Sequence, residues 1–94
     1  MRFLLEPSGT ADLAALTRAA EGARAAGLDG ILLAGSAALP APLVAAAALA
    51  GRVPDVLVAA EIALGDRHPV EVAEEAVVTD LALGGRLILV ARPP

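Results

Sequence analysis

Three uninterrupted apolar runs constrain this chain most: Ile31-Leu32-Leu33, Val56-Leu57-Val58 and Leu87-Ile88-Leu89-Val90. None alternates with polar residues. A strand with one solvated face reads as alternating, whereas continuous runs of this length suit parallel strands buried on both faces. Parallel neighbours need crossovers of a dozen or more residues, usually helical. The stretches between the runs have that character.

Proline and glycine divide the chain into seven pieces. Arg2 to Glu6 reads as strand one, ended by Pro7-Ser8-Gly9-Thr10. Ala11 to Ala26 reads as a helix, with Leu13, Leu16, Ala20 and Ala23 on one stripe and Arg18, Glu21 and Arg24 off it. Thr10 is the expected N-cap and Gly27 the expected stop. Gly30 to Ala34 is strand two and Gly35 to Ala41 a loop. Pro42 suits the first turn of a helix running to Gly51. That second helix has almost no polar face and should be covered by something beyond its own sheet. Asp55 to Leu64 is strand three, followed by the turn Gly65-Asp66-Arg67. Pro69 opens a third helix that ends at Gly84-Gly85, with Val70, Ala73, Val77 and Leu81 as its expected buried stripe. Glu71, Glu74, Glu75 and Val78 lie on the other side, the glutamates near the end that the helix dipole favours. Arg86 to Ala91 is strand four, and Arg92-Pro93-Pro94 closes the chain.

The order βαβαβαβ predicts four parallel strands and three helices joined by right-handed crossovers. An open doubly wound sheet and half of a (βα)8 barrel both satisfy it. Ninety-four residues allow a single domain, 1–94.

Composition narrows the function classes. Apolar residues make up 57%, too many for a disordered tail. Phe3 is the sole aromatic residue, which excludes a stacking platform for single-stranded nucleic acid. A net charge of −4 argues against binding a phosphate backbone, so no nucleic-acid partner is expected. Cysteine is absent, which removes disulfides, thiolate nucleophiles and Cys-ligated metals. All seven basic residues are Arg and there is no Lys, a pattern of GC-rich coding more than of chemistry. The longest apolar run, within Pro42 to Gly51, falls short of the ~20 residues a spanning helix needs. Met1 to Leu5 is too short for a signal peptide. The expectation is a soluble, cytoplasmic chain with no membrane partner.

Candidate chemistry gathers at the carboxyl ends of the strands, where ligands bind in such folds. Glu6, Ser36, Glu61, His68 and Arg92 fall there. Glu61 lies within an apolar strand, where an ionised carboxylate is costly unless paired. It reads either as one half of a pair with an Arg, or as a polar group aimed into a site. His68, the lone histidine, precedes Pro69 and reads as a residue whose ring bonds backbone at the helix start. It has only carboxylates as fellow ligands, so no metal site is expected. Gly35-Ser36-Ala37-Ala38 lacks the further glycines of a dinucleotide loop, and no Walker sequence exists. Neither Ser8 nor Ser36 sits in a nucleophile elbow, and no catalytic residue is identified.

The segment from His68-Pro69 through Ala73-Glu74 and Asp80 to Gly85-Arg86 resembles the corresponding segment of the luciferase-like flavin-dependent monooxygenases, which include bacterial luciferase and deazaflavin-dependent oxidoreductases. Gly27-Leu28-Asp29-Gly30-Ile31 resembles that family's approach to strand two. Pro42 through Ala50 resembles its second helix, and Met1-Arg2-Phe3 its start.

The resemblance implies a truncated luciferase-like barrel domain: a partial (βα)8 TIM barrel reaching through strand four. It implies the amino-terminal part of an enzyme using FMN or a deazaflavin, inactive alone, and the expectation is that this chain by itself retains no cofactor. Its flavin phosphate would be held largely by later parts of the barrel. The alternative is a non-catalytic dimerisation or partner-binding module derived from that family. Glu6, Ser36, Ala60, Glu61 and Arg92 are the implied cofactor-binding positions, with a non-proline cis peptide at Ala60-Glu61. Glu61 stands where the family carries a small or apolar residue, and Arg92 matches a glycine-rich arginine motif only with a one-residue shift. The implied partners are a second copy, through Val44, Ala47 and Ala48 on the second helix, or a carboxyl-half barrel.

Overall fold

The computed structural model describes residues 1–7, 12–65 and 67–93. Seven elements follow in the expected order: β1 Leu4–Leu5, α1 Leu13–Ala25, β2 Gly30–Leu33, α2 Pro42–Leu49, β3 Leu57–Ala63, α3 Pro69–Ala82 and β4 Leu87–Arg92. The strands form one parallel sheet in the order β1-β2-β3-β4. Each crossover therefore steps the same way, and the helices gather side by side over one face. A doubly wound sheet reverses direction and carries helices on both faces. The running order places the fold with partial barrels.

β1 is shorter than the expected Arg2–Glu6. Its approach is still tied to β2, because Asp29 Oδ2 accepts from the Phe3 N–H at 2.7 Å and Asp29 N–H donates to the Phe3 carbonyl at 2.9 Å. α1 is capped by Asp12, whose Oδ1 accepts from the Ala14 N–H at 2.8 Å. Thr10, the expected cap, and Ser8 lie outside the described residues. Leu16, Ala20 and Ala23 are buried as expected, and Leu13 packs at the edge of the core.

α2 begins at Pro42, whose missing N–H costs nothing in a first turn. It stops at Leu49, two residues before Gly51. Pro42, Leu43, Ala46 and Leu49 are buried, whereas Val44, Ala47 and Ala48 face outward. Half of this apolar helix therefore has no cover among the described residues.

The buried face of α3 differs from the expected one. Val70, Val77 and Leu81 are 56%, 60% and 75% exposed, and Ala73 is exposed with them. The inward face carries Val72 and Thr79, continued by Leu83 just past the helix. Apolar residues occur on nearly every side of α3, so its periodicity supports two stripes. Packing against α2 selects the one with Val72 and Thr79.

Gly84 and Gly85 end α3 with φ of 62° and 84°, a left-handed pair that a side chain would strain. Arg86 follows. Its Nε donates to the Leu83 carbonyl at 2.6 Å, and its Nη1 donates to the Val53 and Val56 carbonyls at 3.0 Å each. Asp80 Oδ1 accepts from the Leu87 N–H at 3.1 Å, tying α3 to the first residue of β4.

The core lies between the helices and one sheet face. Ile31 and Leu33 of β2 and Val58 and Ala60 of β3 meet Leu16 and Ala20 of α1 and Leu43, Ala46 and Leu49 of α2. Side chains alternate across a strand. Leu32, Ala59, Glu61, Ile88 and Val90 therefore occupy the opposite face, over which no helix lies among the described residues.

Candidate site at the carboxyl end of the sheet

β3 and β4 pair with Glu61 opposite Val90 and Ala63 opposite Arg92. Alternation puts Glu61 and Arg92 on the same, helix-free face. There Glu61 Oε2 meets Arg92 Nε at 2.8 Å. Glu61 Oε1 accepts from the Gly35 N–H, just past β2, at 2.9 Å. One carboxylate thus ties together the ends of three strands. Its side chain is only 11% exposed, whereas that of Arg92 is 66% exposed. Of the two readings of Glu61, the geometry realises the pair with an Arg. This is how a strand tolerates a largely buried carboxylate: charge and hydrogen bonds offset the lost water.

The other expected positions do not join this cluster. Ser36 sits in the tight turn after β2, where its Oγ accepts from the Leu39 N–H at 3.0 Å. Glu6 is exposed, immediately past β1. Ala60 is fully buried in the core between sheet and helices. The Ala60–Glu61 peptide is trans, which corrects the cis bond implied there. His68 is the N-cap of α3, its Nδ1 accepting from the Val70 N–H at 3.2 Å. No cluster of three metal-ligating side chains occurs among the described residues.

A second ion pair lies beside the first residues of α3. Arg67 donates from Nη1 and Nη2 to the two carboxylate oxygens of Glu75, at 2.7 and 2.5 Å. This fork holds the Glu75 carboxyl below the usual glutamate value and raises Arg67. Between the two ion pairs lies a cleft of about 340 Å³, lined by Glu61, Ile62, Pro42, Val44, Arg67 and Glu75 among others. Sequence reasoning missed the Arg67–Glu75 pair and the Arg86 bridge. An Arg eight residues before a Glu across a helix start was a legible hint of the first. The carbonyls that receive Arg86 left no local signal.

Four parallel strands in running order, three helices on one face and polar groups at the carboxyl ends are the arrangement of a partial (βα)8 barrel. The chain belongs to the luciferase-like monooxygenase family, whose profile matches residues 2–91. No curated protein sequence matches it. Among solved structures it is similar to EDTA monooxygenase from Chelativorans sp. BNC1, with 30% identity and a TM-score of 0.80 over 88% of this chain. The chain spans 22% of that enzyme's length. No helix among the described residues is long and apolar enough to cross a membrane.

Enzymes of this family are generally flavin-dependent, and the donor set here tests whether the chain fits that cofactor. The Gly35 N–H and Arg92 Nε are both taken by Glu61. The Ser36 hydroxyl is engaged in its own turn. The Glu61 carboxylate already neutralises the Arg92 guanidinium, which leaves no net positive charge in the cluster for a phosphate-bearing ligand. These residues do not by themselves fit a flavin nucleotide.

Proposed function

We propose that this chain acts as the amino-terminal part of a flavin- or deazaflavin-dependent luciferase-like monooxygenase barrel, in the cytoplasm, and is inactive by itself. The carrying observation is the helix-free sheet face. Leu32, Ile88 and Val90 are half-buried apolar residues there, beside the fully buried Ala59, and β1 and β4 have no outer neighbours among the described strands. A closed barrel buries such a face in its interior and leaves no strand edge. Later strands would supply the donors that hold FMN or a deazaflavin, which carries the redox chemistry when bound. This chain would contribute the Glu61–Arg92 end and the rigid helical backing beneath it.

Equilibrium titration of the purified chain with oxidised FMN tests the reading. The expected outcome is a dissociation constant no tighter than ~1 mM, a binding energy of only about 4 kcal/mol. Micromolar binding, with visible flavin absorbance retained on gel filtration, would overturn it.

A second reading rests on the outer surface. Val44 and Ala47 of α2 and Val78 of α3 line one apolar groove, and Val70, Ala73 and Val77 line another beside it. Apolar patches of this kind mark interaction surfaces. The chain would then serve as a dimerisation or partner-binding module, pairing with a second copy through Val44, Ala47 and Ala48. The rival geometry joins two half-barrels edge to edge through β1 and β4.

A further inference from the structure

Glu61 is held in the sheet as an anion is held in a receptor. A backbone N–H from the end of β2 and a guanidinium from the end of β4 converge on its two oxygens, Gly35 N at 2.9 Å and Arg92 Nε at 2.8 Å. Backbone N–H groups and arginine are the usual donors to carboxylate and phosphate oxygens. Gly35 lies directly against the carboxylate: a β carbon there would stand in van der Waals contact, 3.4 Å from Glu61 Oε1 and 3.9 Å from Pro42 Cγ. The Arg92 side chain is 66% exposed, so a dissolved anion can approach the corner from solvent once Glu61 no longer fills it.

We infer that the Gly35 N–H and Arg92 Nε form a binding corner for a small oxyanion, a carboxylate or a phosphate, and that this chain fills the corner with its own Glu61. Being tethered, the Glu61 carboxylate competes at a high effective concentration and keeps external anions out. Because the corner already holds one negative charge, a second anion beside it meets repulsion as well as a steric block. The inference goes beyond the barrel reading and does not depend on it. FMN retained with no change at Gly35 would overturn that reading and leave the corner untouched.

The test is chemical rescue. Glu61→Ala removes the internal occupant. Glu61→Gln keeps an oxygen on the Gly35 N–H and still fills the space. Each variant and the wild type are titrated separately with sodium formate and with inorganic phosphate, against sodium chloride of equal ionic strength. The readouts are the Gly35 amide resonance and the thermal midpoint. In Glu61→Ala, formate or phosphate shifts the Gly35 amide saturably and raises the midpoint, as a ligand of the folded state does. Wild type and Glu61→Gln show neither effect. Which of the two anions acts tells a carboxylate corner from a phosphate corner. A saturable shift at Gly35 in the wild type overturns the inference, because the corner would then be open. Absence of any anion effect in Glu61→Ala overturns it too. If Glu61→Ala is unfolded in chloride, formate or phosphate restores its fold, and failure of both to do so counts against the corner.

Discussion

A β carbon on Gly30 would lie 1.9 Å from the Leu57 carbonyl oxygen and 2.7 Å from its carbonyl carbon. The two residues face each other in register across β2 and β3. Both contacts are to backbone, so no side-chain rotation relieves them. Gly30→Ala must part the central strands, and we expect it to cost at least ~3 kcal/mol, the upper end for overpacking. Urea denaturation measures this directly. A loss under ~1 kcal/mol would show that the strands separate easily there.

Arg86 bridges parts of the chain that no ladder connects. Its guanidinium satisfies the carbonyls of Leu83, Val53 and Val56 at once. Lysine carries the charge but not the planar fork. Arg86→Lys should therefore leave carbonyls without a partner and cost about 2–3 kcal/mol in chemical denaturation. A near-neutral Arg86→Lys would mean that water replaces the fork.

The Glu75 carboxyl titrates below its ordinary value of 4.5 because Arg67 donates to both of its oxygens. A depressed carboxyl favours the folded state above the unfolded value, and that contribution disappears as pH falls through the folded value. Both side chains are about half exposed, so the effect is small and salt-sensitive. The wild type should melt slightly above Glu75→Gln at pH 7. The gap should narrow once the pH drops under 4.5 and close in stronger acid. A gap that widens in acid would contradict the assignment.

Leu81 and Leu83 are two residues apart and opposite in environment, 75% and 1% exposed. Leu83→Ala should cost about 2–5 kcal/mol by opening a cavity. Leu81→Ala should stay within ~0.5 kcal/mol in dilute solution. A cost for Leu81→Ala that grows with protein concentration would reveal self-association through α3.

The two proposed dimers respond differently to one charge. Ala47→Arg places a guanidinium in the middle of the outer α2 surface and should dissociate a helix-mediated dimer. It should spare two half-barrels joined through β1 and β4. Sedimentation equilibrium separates these outcomes, and a 9.3 kDa species for the wild type at tens of micromolar would exclude both.

Local chemistry made the frame legible. Pro42 and His68-Pro69 marked two helix starts, because a missing N–H and a capping side chain act within one turn. Continuous apolar runs marked β2, β3 and β4, and the βα alternation implied parallel pairing with the strands in one sheet. The site was legible only in part. Glu61 stood out as a carboxylate in an apolar strand, but its partners Gly35 and Arg92 come together only through the β3–β4 register and the loop after β2. By itself the sequence thus determined the elements, their order and where charge had to be compensated, since these follow from propensity and burial cost along the chain. Only the tertiary structure decided which face of α3 is inward, which groups neutralise Glu61 and what Arg86 bridges. Those depend on contacts between residues far apart in sequence, whose geometry no local periodicity carries.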